Sequence, residues 1–143
     1  MSFDLKLVNG NLTVDNNGAL AVVRDSEKLK QDVLKIIITP LGGNIGHPWY
    51  GSNVGLTMIG NIFDKDFTLD TATAQLQNAI ETLQIIQKTQ AQTQSVTAAE
   101  SIMVVKDVYI NSNPTDPRIL EVKVTVLSGA LTPIETGFNV RQL

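Results

Sequence analysis

The chain of 143 residues has no cysteine, which excludes a disulfide framework, a thiol nucleophile and any cysteine-based metal centre. It has a single histidine, His47, so a catalytic triad or a zinc set would rest on one imidazole, and no nearby carboxylates fall at ligand spacing. No metal and no cofactor are expected. Charged residues make up only 17%, and the eleven Lys and Arg are scattered. With a net charge of −3, nucleic acid is not an expected partner, because phosphate contacts need clustered cations. No apolar run approaches the roughly 18 residues that span a bilayer, so no membrane partner is expected. The start, "MSFDLKLVNG", lacks the basic and apolar segments of a secretory signal.

What is present suffices for one domain over residues 1–143, since 43% hydrophobic content in a chain of this length can bury a core. Sparse surface charge suits a subunit covered by neighbours. Residues 1–23 read as a small antiparallel meander: Asn9-Gly10 and Asn17-Gly18 are hairpin pairs, and Leu5, Leu7, Leu12, Val14, Leu20 and Val22 would share one face. A helix comes next, with Asp25 or Ser26 as N-cap and Leu29, Val33, Ile36 and Ile37 as its buried stripe. Pro40 ends it near Thr39.

"LTMIGNIF" reads as a short, helical piece. A long helix is expected from Asp70 or Thr71, with Leu76, Ile80, Leu83 and Ile86 or Gln87 on its apolar side. It drifts into a Gln- and Thr-rich stretch that buries little. Beyond residue 100 the period becomes two. Ile102, Val104, Val108 and Ile110 form one strand, and Leu120, Val122, Val124 and Val126 point inward from a second. Ile134, Thr136, Phe138 and Val140 line a third. The expected fold is α+β: an N-terminal β-hairpin meander, two main helices and a C-terminal three-stranded antiparallel sheet over 100–143.

The most unusual stretch is "TPLGGNIGHPWYGSNVG", residues 39–55. It holds five of the ten glycines, the only Trp, the only His and two of the five prolines. It lacks the Gly-Lys-Ser/Thr ending of a phosphate loop and the G-x-G-x-x-G spacing. A glycosidase would need two facing carboxylates, and Glu27, Glu81, Glu100, Glu121 and Glu135 are spread over different elements. Glycines here permit sharp turns, while Trp49 and Tyr50 offer large amphipathic surface. Trp49 fits either the domain's own core or an interface anchor.

The helix "LKQDVLKIIITP", the glycine-rich stretch, a polar-faced helix and a strand meander together resemble the lysozyme-like baseplate wedge family. These are the sheath initiators of contractile phage tails and related injection systems. Thr39, Gly42, Gly43, Ile45, Pro48, Tyr50, Gly51 and Ser52 fit the order of the family's motif, and the resemblance runs from about Leu29 to the last strand. One departure is clear. The family carries Glu-Pro-Arg before its C-terminal meander, whereas this chain keeps Glu100 and has Ser101 and Ile102 next. Asp116-Pro117-Arg118 has a similar composition but falls one strand later.

The resemblance implies a structural, non-enzymatic virion protein of the tail baseplate, made in the host cytoplasm and present in six copies. Its implied partners are the tail sheath protein, the baseplate wedge proteins and the tail tube or hub. Ile134, Thr136, Phe138 and Val140 mark the strand to which sheath would add. Glu100, Pro48, Trp49, Tyr50 and Gly51 are the implied wedge contacts, with Asp116, Pro117 and Arg118 as substitutes. Two alternatives stand beside it: another wedge or tail-completion subunit without sheath contact, and, more distantly, a muramidase.

Overall fold

A computed structural model of the chain describes residues 2–55 and 65–141. The α+β class is as expected: short N-terminal hairpins, two main helices and a three-stranded antiparallel sheet at the C-terminal end. The helical piece expected at 56–63 lies outside the described residues.

Four two-residue strands make the N-terminal meander: β1 (Asp4–Leu5), β2 (Leu7–Val8), β3 (Asn11–Leu12) and β4 (Val22–Val23). β1 pairs with β4 and β2 with β3. Asn9 and Gly10 take φ of 51° and 80°, the two positive angles that a tight hairpin requires. The second Asn-Gly pair behaves differently. Only Gly18 has positive φ there, and the Asp15 carboxylate accepts from the N–H groups of Asn17 and Ala19, making a wider loop. The expected apolar face exists in register, yet Leu7, Leu12, Val14, Leu20 and Val22 are exposed on it.

Helix α1 (Asp25–Ile38) buries Leu29, Val33, Ile36 and Ile37, the stripe its sequence predicts. Its start is a correction. Arg24, in extended conformation, occupies the cap position without a side-chain cap bond, and Asp25 is the first helical residue. The Asp25 carboxylate instead accepts from the Thr97 hydroxyl at 2.7 Å. The helix ends at Thr39, whose N–H and hydroxyl both donate to the Lys35 carbonyl.

Helix α2 (Lys65–Gln90) begins before Asp70, because no Gly or Pro in 65–70 interrupts it. It buries Ala72, Leu76, Ala79, Ile80, Leu83 and Gln87. A short 3₁₀ turn (Ala98–Glu100) leads into β5 (Ile102–Ser112), followed by β6 (Ile119–Ser128) and β7 (Pro133–Arg141). The sheet order is β5-β6-β7. Leu120, Val122, Val124 and Val126 on β6 are all buried, as alternation predicts.

In β5 the register slips between Ile102 and Val104 and again between Val105 and Asp107. Each bulge reverses the facing of the residues beyond it, so Val105 packs on the core and Val104 is exposed. The alternation expected through Val104 is therefore broken. Both helices cover the same sheet face, α1 towards β7 and α2 towards β5, and they touch each other. Each fully buried aliphatic side chain in this layer contributes about 1.5–3 kcal/mol.

Candidate functional site

The loop after α1 closes on itself. The Ser52 N–H donates to the Thr39 carbonyl (2.8 Å), the Leu41 N–H to Ser52 (3.1 Å) and the Gly42 N–H to Pro48 (3.0 Å). The Ser52 hydroxyl reaches the Ile37 carbonyl at 2.5 Å and ties the loop to the helix end. Gly51 makes the closure feasible. Its φ is +122°, and a Cβ there would lie 2.5 Å from the Thr39 carbonyl oxygen.

The loop presents apolar groups outward. Trp49 is 52% exposed and Ile45 98%. Trp49 therefore does not plug the core, one of the two roles open to it from sequence. It meets His47 edge-on at 5.3 Å and Tyr50 at 6.5 Å between ring centroids. Beside it, a cavity of about 520 Å³ is lined by Thr82, Ile85, Ile86 and Thr89 of α2. Tyr50 turns inward and packs on the core, where burial pushes its phenol pKa up. Pro48 is exposed.

Next to Tyr50 lies a small ionic cluster. Lys35 pairs with Asp4 and, at 3.4 Å, with Asp32, while Lys28 pairs with Asp32 at 2.6 Å. Burial pushes the Asp4 carboxyl up, but hydrogen bonds from Lys35 and Gln31 outweigh it and hold the pKa below its usual value. For Lys35, burial acts downward, and the bond to Asp4 with the charge of Asp32 reverses it. These contacts fasten the meander to α1.

Glu100 is turned inward, at 1% exposure. Its Oε2 accepts from the Ser2 hydroxyl at 2.5 Å, and its Oε1 has no hydrogen-bond partner among the described residues. In this fold its side chain offers no outer surface for a wedge contact. Gln87 completes the junction: its Nε2 donates to the Glu100 carbonyl and its Oε1 accepts from the Ile102 N–H, both at 2.9 Å. That role has no sequence signature beyond an apolar-stripe position occupied by an amide.

Asp116, Pro117 and Arg118 sit in the turn between β5 and β6, at the opposite end of β5 from Glu100. Eleven strand residues separate the two places by roughly 35 Å. Arg118 donates to Asp116 from its backbone N–H and its guanidinium, which lowers the Asp116 pKa. The two sequence-level candidates for one contact are thus not brought together.

The sheet has two edges of different character. β5 is irregular: it carries two bulges and Lys106, and Gln84 of α2 leans on its first carbonyls at 3.4–3.5 Å. β7 pairs with β6 in unbroken register from Pro133 to Arg141. The Ser128 N–H donates to the Thr132 carbonyl, which sets the phase of this antiparallel ladder. By alternation, Ile134, Thr136, Phe138 and Val140 direct their backbone groups to β6 and their side chains to the core. The N–H groups of Glu135, Gly137, Asn139 and Arg141 then point to the free edge. No described strand pairs with that edge.

A further groove of about 540 Å³ between α2 and β5 is lined by Glu81 and Asp107, among others. Sequence alone puts Glu81 on a solvated face and identifies no carboxylate opposite it. Among the described residues, no group of three or more His, Cys, Asp or Glu could hold a metal, and no helix is long and apolar enough to cross a membrane.

Comparison with known proteins rests on shape. No family model and no curated protein matches the sequence. A solved structure from Geobacter sulfurreducens, described as a "putative tail lysozyme", superposes with a TM-score of 0.59 over 82% of this chain and 90% of its own, at 11% identity. The fold is tail lysozyme-like. At that identity the likeness concerns architecture alone.

Proposed function

We propose that this chain is a structural baseplate protein of a contractile tail, and that it templates the first sheath layer by accepting a strand at the free edge of β7. The observation that carries the reading is the contrast between edges. β5 is bulged and partly capped, whereas β7 keeps unbroken register with β6 and leaves a run of N–H and C=O groups unpaired by any described strand. Such an edge is a template for strand addition. The tail lysozyme-like fold and the order of the glycine-rich motif support placement in a tail. Trp49 and Ile45 add apolar surface suited to a wedge neighbour.

Here Ile134, Thr136, Phe138 and Val140 hold β7 on the core and so fix register, while the odd-numbered residues make the new bonds. The partners are then sheath at β7 and wedge proteins at the 40–52 loop, with six copies per particle. The test is sheath polymerisation on otherwise complete baseplates. Full-length sheath on baseplates whose β7 edge is blocked would sink the reading and favour a wedge subunit without sheath contact.

A muramidase is the competing reading, and Glu81 with Asp107 in one groove is the observation that keeps it. Turbidity of cell-wall suspensions decides it: clearing that is lost in Glu81→Gln would replace the structural role with an enzymatic one.

A further inference from the structure

Gly137 leaves β7 bare on its outer side, the sheet face turned away from both helices. A Cβ there would run into the Val122 carbonyl oxygen, so any other residue would have to push the ladder apart. A neighbouring side chain crosses the bare position. Lys123, the β6 partner of Gly137, brings its Cγ within 3.4 Å of where that Cβ would stand, and its ammonium reaches Glu135 at 3.7 Å. On the inner side, Leu34 of α1 and Phe138 are half-buried. A cavity of about 590 Å³ is lined by all five residues, so it reaches round β7 from one face of the sheet to the other.

We propose that the sheath strand accepted at β7 carries an aromatic side chain over Gly137, between two aliphatic residues that face α1, an inference that rests on the strand-addition reading. An added antiparallel strand continues the alternation of its neighbours. Gly137 exchanges both backbone bonds with one residue of the newcomer, whose side chain rises on the outer face against Lys123. The residues on either side of it turn inward, to Leu34 and Phe138, where aliphatic groups gain burial. Charge selects the outward residue. The Glu135 carboxylate already holds the Lys123 ammonium, and the Glu121 carboxylate accepts from the Asn113 amide at 2.8 Å. A carboxylate added there meets two others, and a cation meets Lys123. Among uncharged groups, an aliphatic side chain packs on the Lys123 stem alone, whereas an aromatic ring takes the stem and the ammonium together. A ring also covers an edge glycine that offers the new strand no side chain of its own.

The experiment places photoreactive benzoylphenylalanine at Lys123 or Asn139 of the full chain, with Lys106 on the opposite edge as control, and irradiates assembled tails. The expected result is cross-linking from both positions, and not from the control, to one segment of the sheath subunit. The Lys123 adducts should fall on or next to an aromatic residue flanked by aliphatic ones. Lys123 adducts in a segment without an aromatic residue, or sheath adducts from Asn139 and none from Lys123, overturn the inference and leave strand addition standing. No sheath adduct from either position, or equal adducts from Lys106, removes the strand-addition reading itself, and this inference with it. A companion pair keeps the test independent of the probe. Lys123 is exposed, so Lys123→Ala and Lys123→Arg should keep the circular dichroism and thermal midpoint of wild type. Sheath seeding should fall roughly five- to tenfold in Lys123→Ala and stay within about twofold of wild type in Lys123→Arg, which keeps stem and cation. Seeding by Lys123→Ala at the wild-type rate also overturns the inference.

Discussion

Ser2 and Glu100 are joined by a 2.5 Å hydrogen bond across 98 positions of sequence, both buried. The bond links the first described residue to the last residue of the 3₁₀ turn that leads into the sheet. It is the side-chain bond that the carboxylate makes among the described residues, since its other oxygen has no partner there. Removing the hydroxyl strands a buried acceptor, which costs about 1–3 kcal/mol. Ser2→Ala should therefore lower the unfolding free energy measured in urea by that amount, and Ser2→Thr, which keeps the hydroxyl, should lower it less. Equal midpoints for Ser2→Ala and wild type would show that the bond contributes nothing in solution.

The Asp4–Lys35 pair sets a pH signature. Asp4 has a folded pKa below its ordinary 3.8, so its contribution is present above that value and is lost as pH falls through the lower folded value. Lys35 has a folded pKa above 10.5, so its contribution is present below that value and is lost as pH rises through the higher one. The stability difference between wild type and Lys35→Met should be flat between roughly pH 5 and 9 and shrink outside it. Both side chains are about one-third exposed, so solvent screening holds the difference to about 1 kcal/mol or less, falling with salt. A difference that peaks near pH 4 would assign it to other groups.

Gly51 tests the loop. Alanine there must strain a backbone at φ +122° and push against the Thr39 carbonyl, at a cost of roughly 1–3 kcal/mol. The sole tryptophan, Trp49, sits two residues away and reports on the same loop. Gly51→Ala should shift Trp49 emission and lower stability together, while Gly46→Ala, whose added Cβ meets only the Asn44 side chain at 3.5 Å, should do neither. Identical emission spectra for all three proteins would mean that the loop does not depend on Gly51.

Much of this architecture is legible in sequence wherever one physical signal acts alone. β6 alternates because one face packs on two helices and the other meets water, and Leu29, Val33, Ile36 and Ile37 recur at helical spacing for the same reason. Alternation says which residues share a face but not what covers it, so the outward turn of Leu12 and Val14 could not be read. Bulges in β5 carry no residue signature, and the exchange of Val104 for Val105 stems from them. A carboxylate reads as exposed by default, which hides the burial of Glu100. Asp25 looks like a cap because the competing partner, Thr97, lies 72 positions away.

The free edge of β7 can be blocked without removing the strand. Pro at an edge position whose N–H points outward deletes one free donor and leaves the ladder to β6 intact. Glu135 and Asn139 are such positions by the phase of the β6–β7 ladder, whereas Thr136 and Phe138 donate towards β6. Glu135→Pro and Asn139→Pro should fold with midpoints close to wild type and yet fail to seed sheath on complete baseplates. Thr136→Pro should instead lose stability, because it breaks a ladder bond and disturbs a buried residue. The order of these effects discriminates between edge and core. If Glu135→Pro and Asn139→Pro both support full-length sheath, strand addition at β7 is not how sheath begins. If Glu135→Pro and Asn139→Pro unfold while Thr136→Pro keeps its midpoint, the phase assigned to the ladder is the error, and substituting the even positions for the odd ones repeats the test.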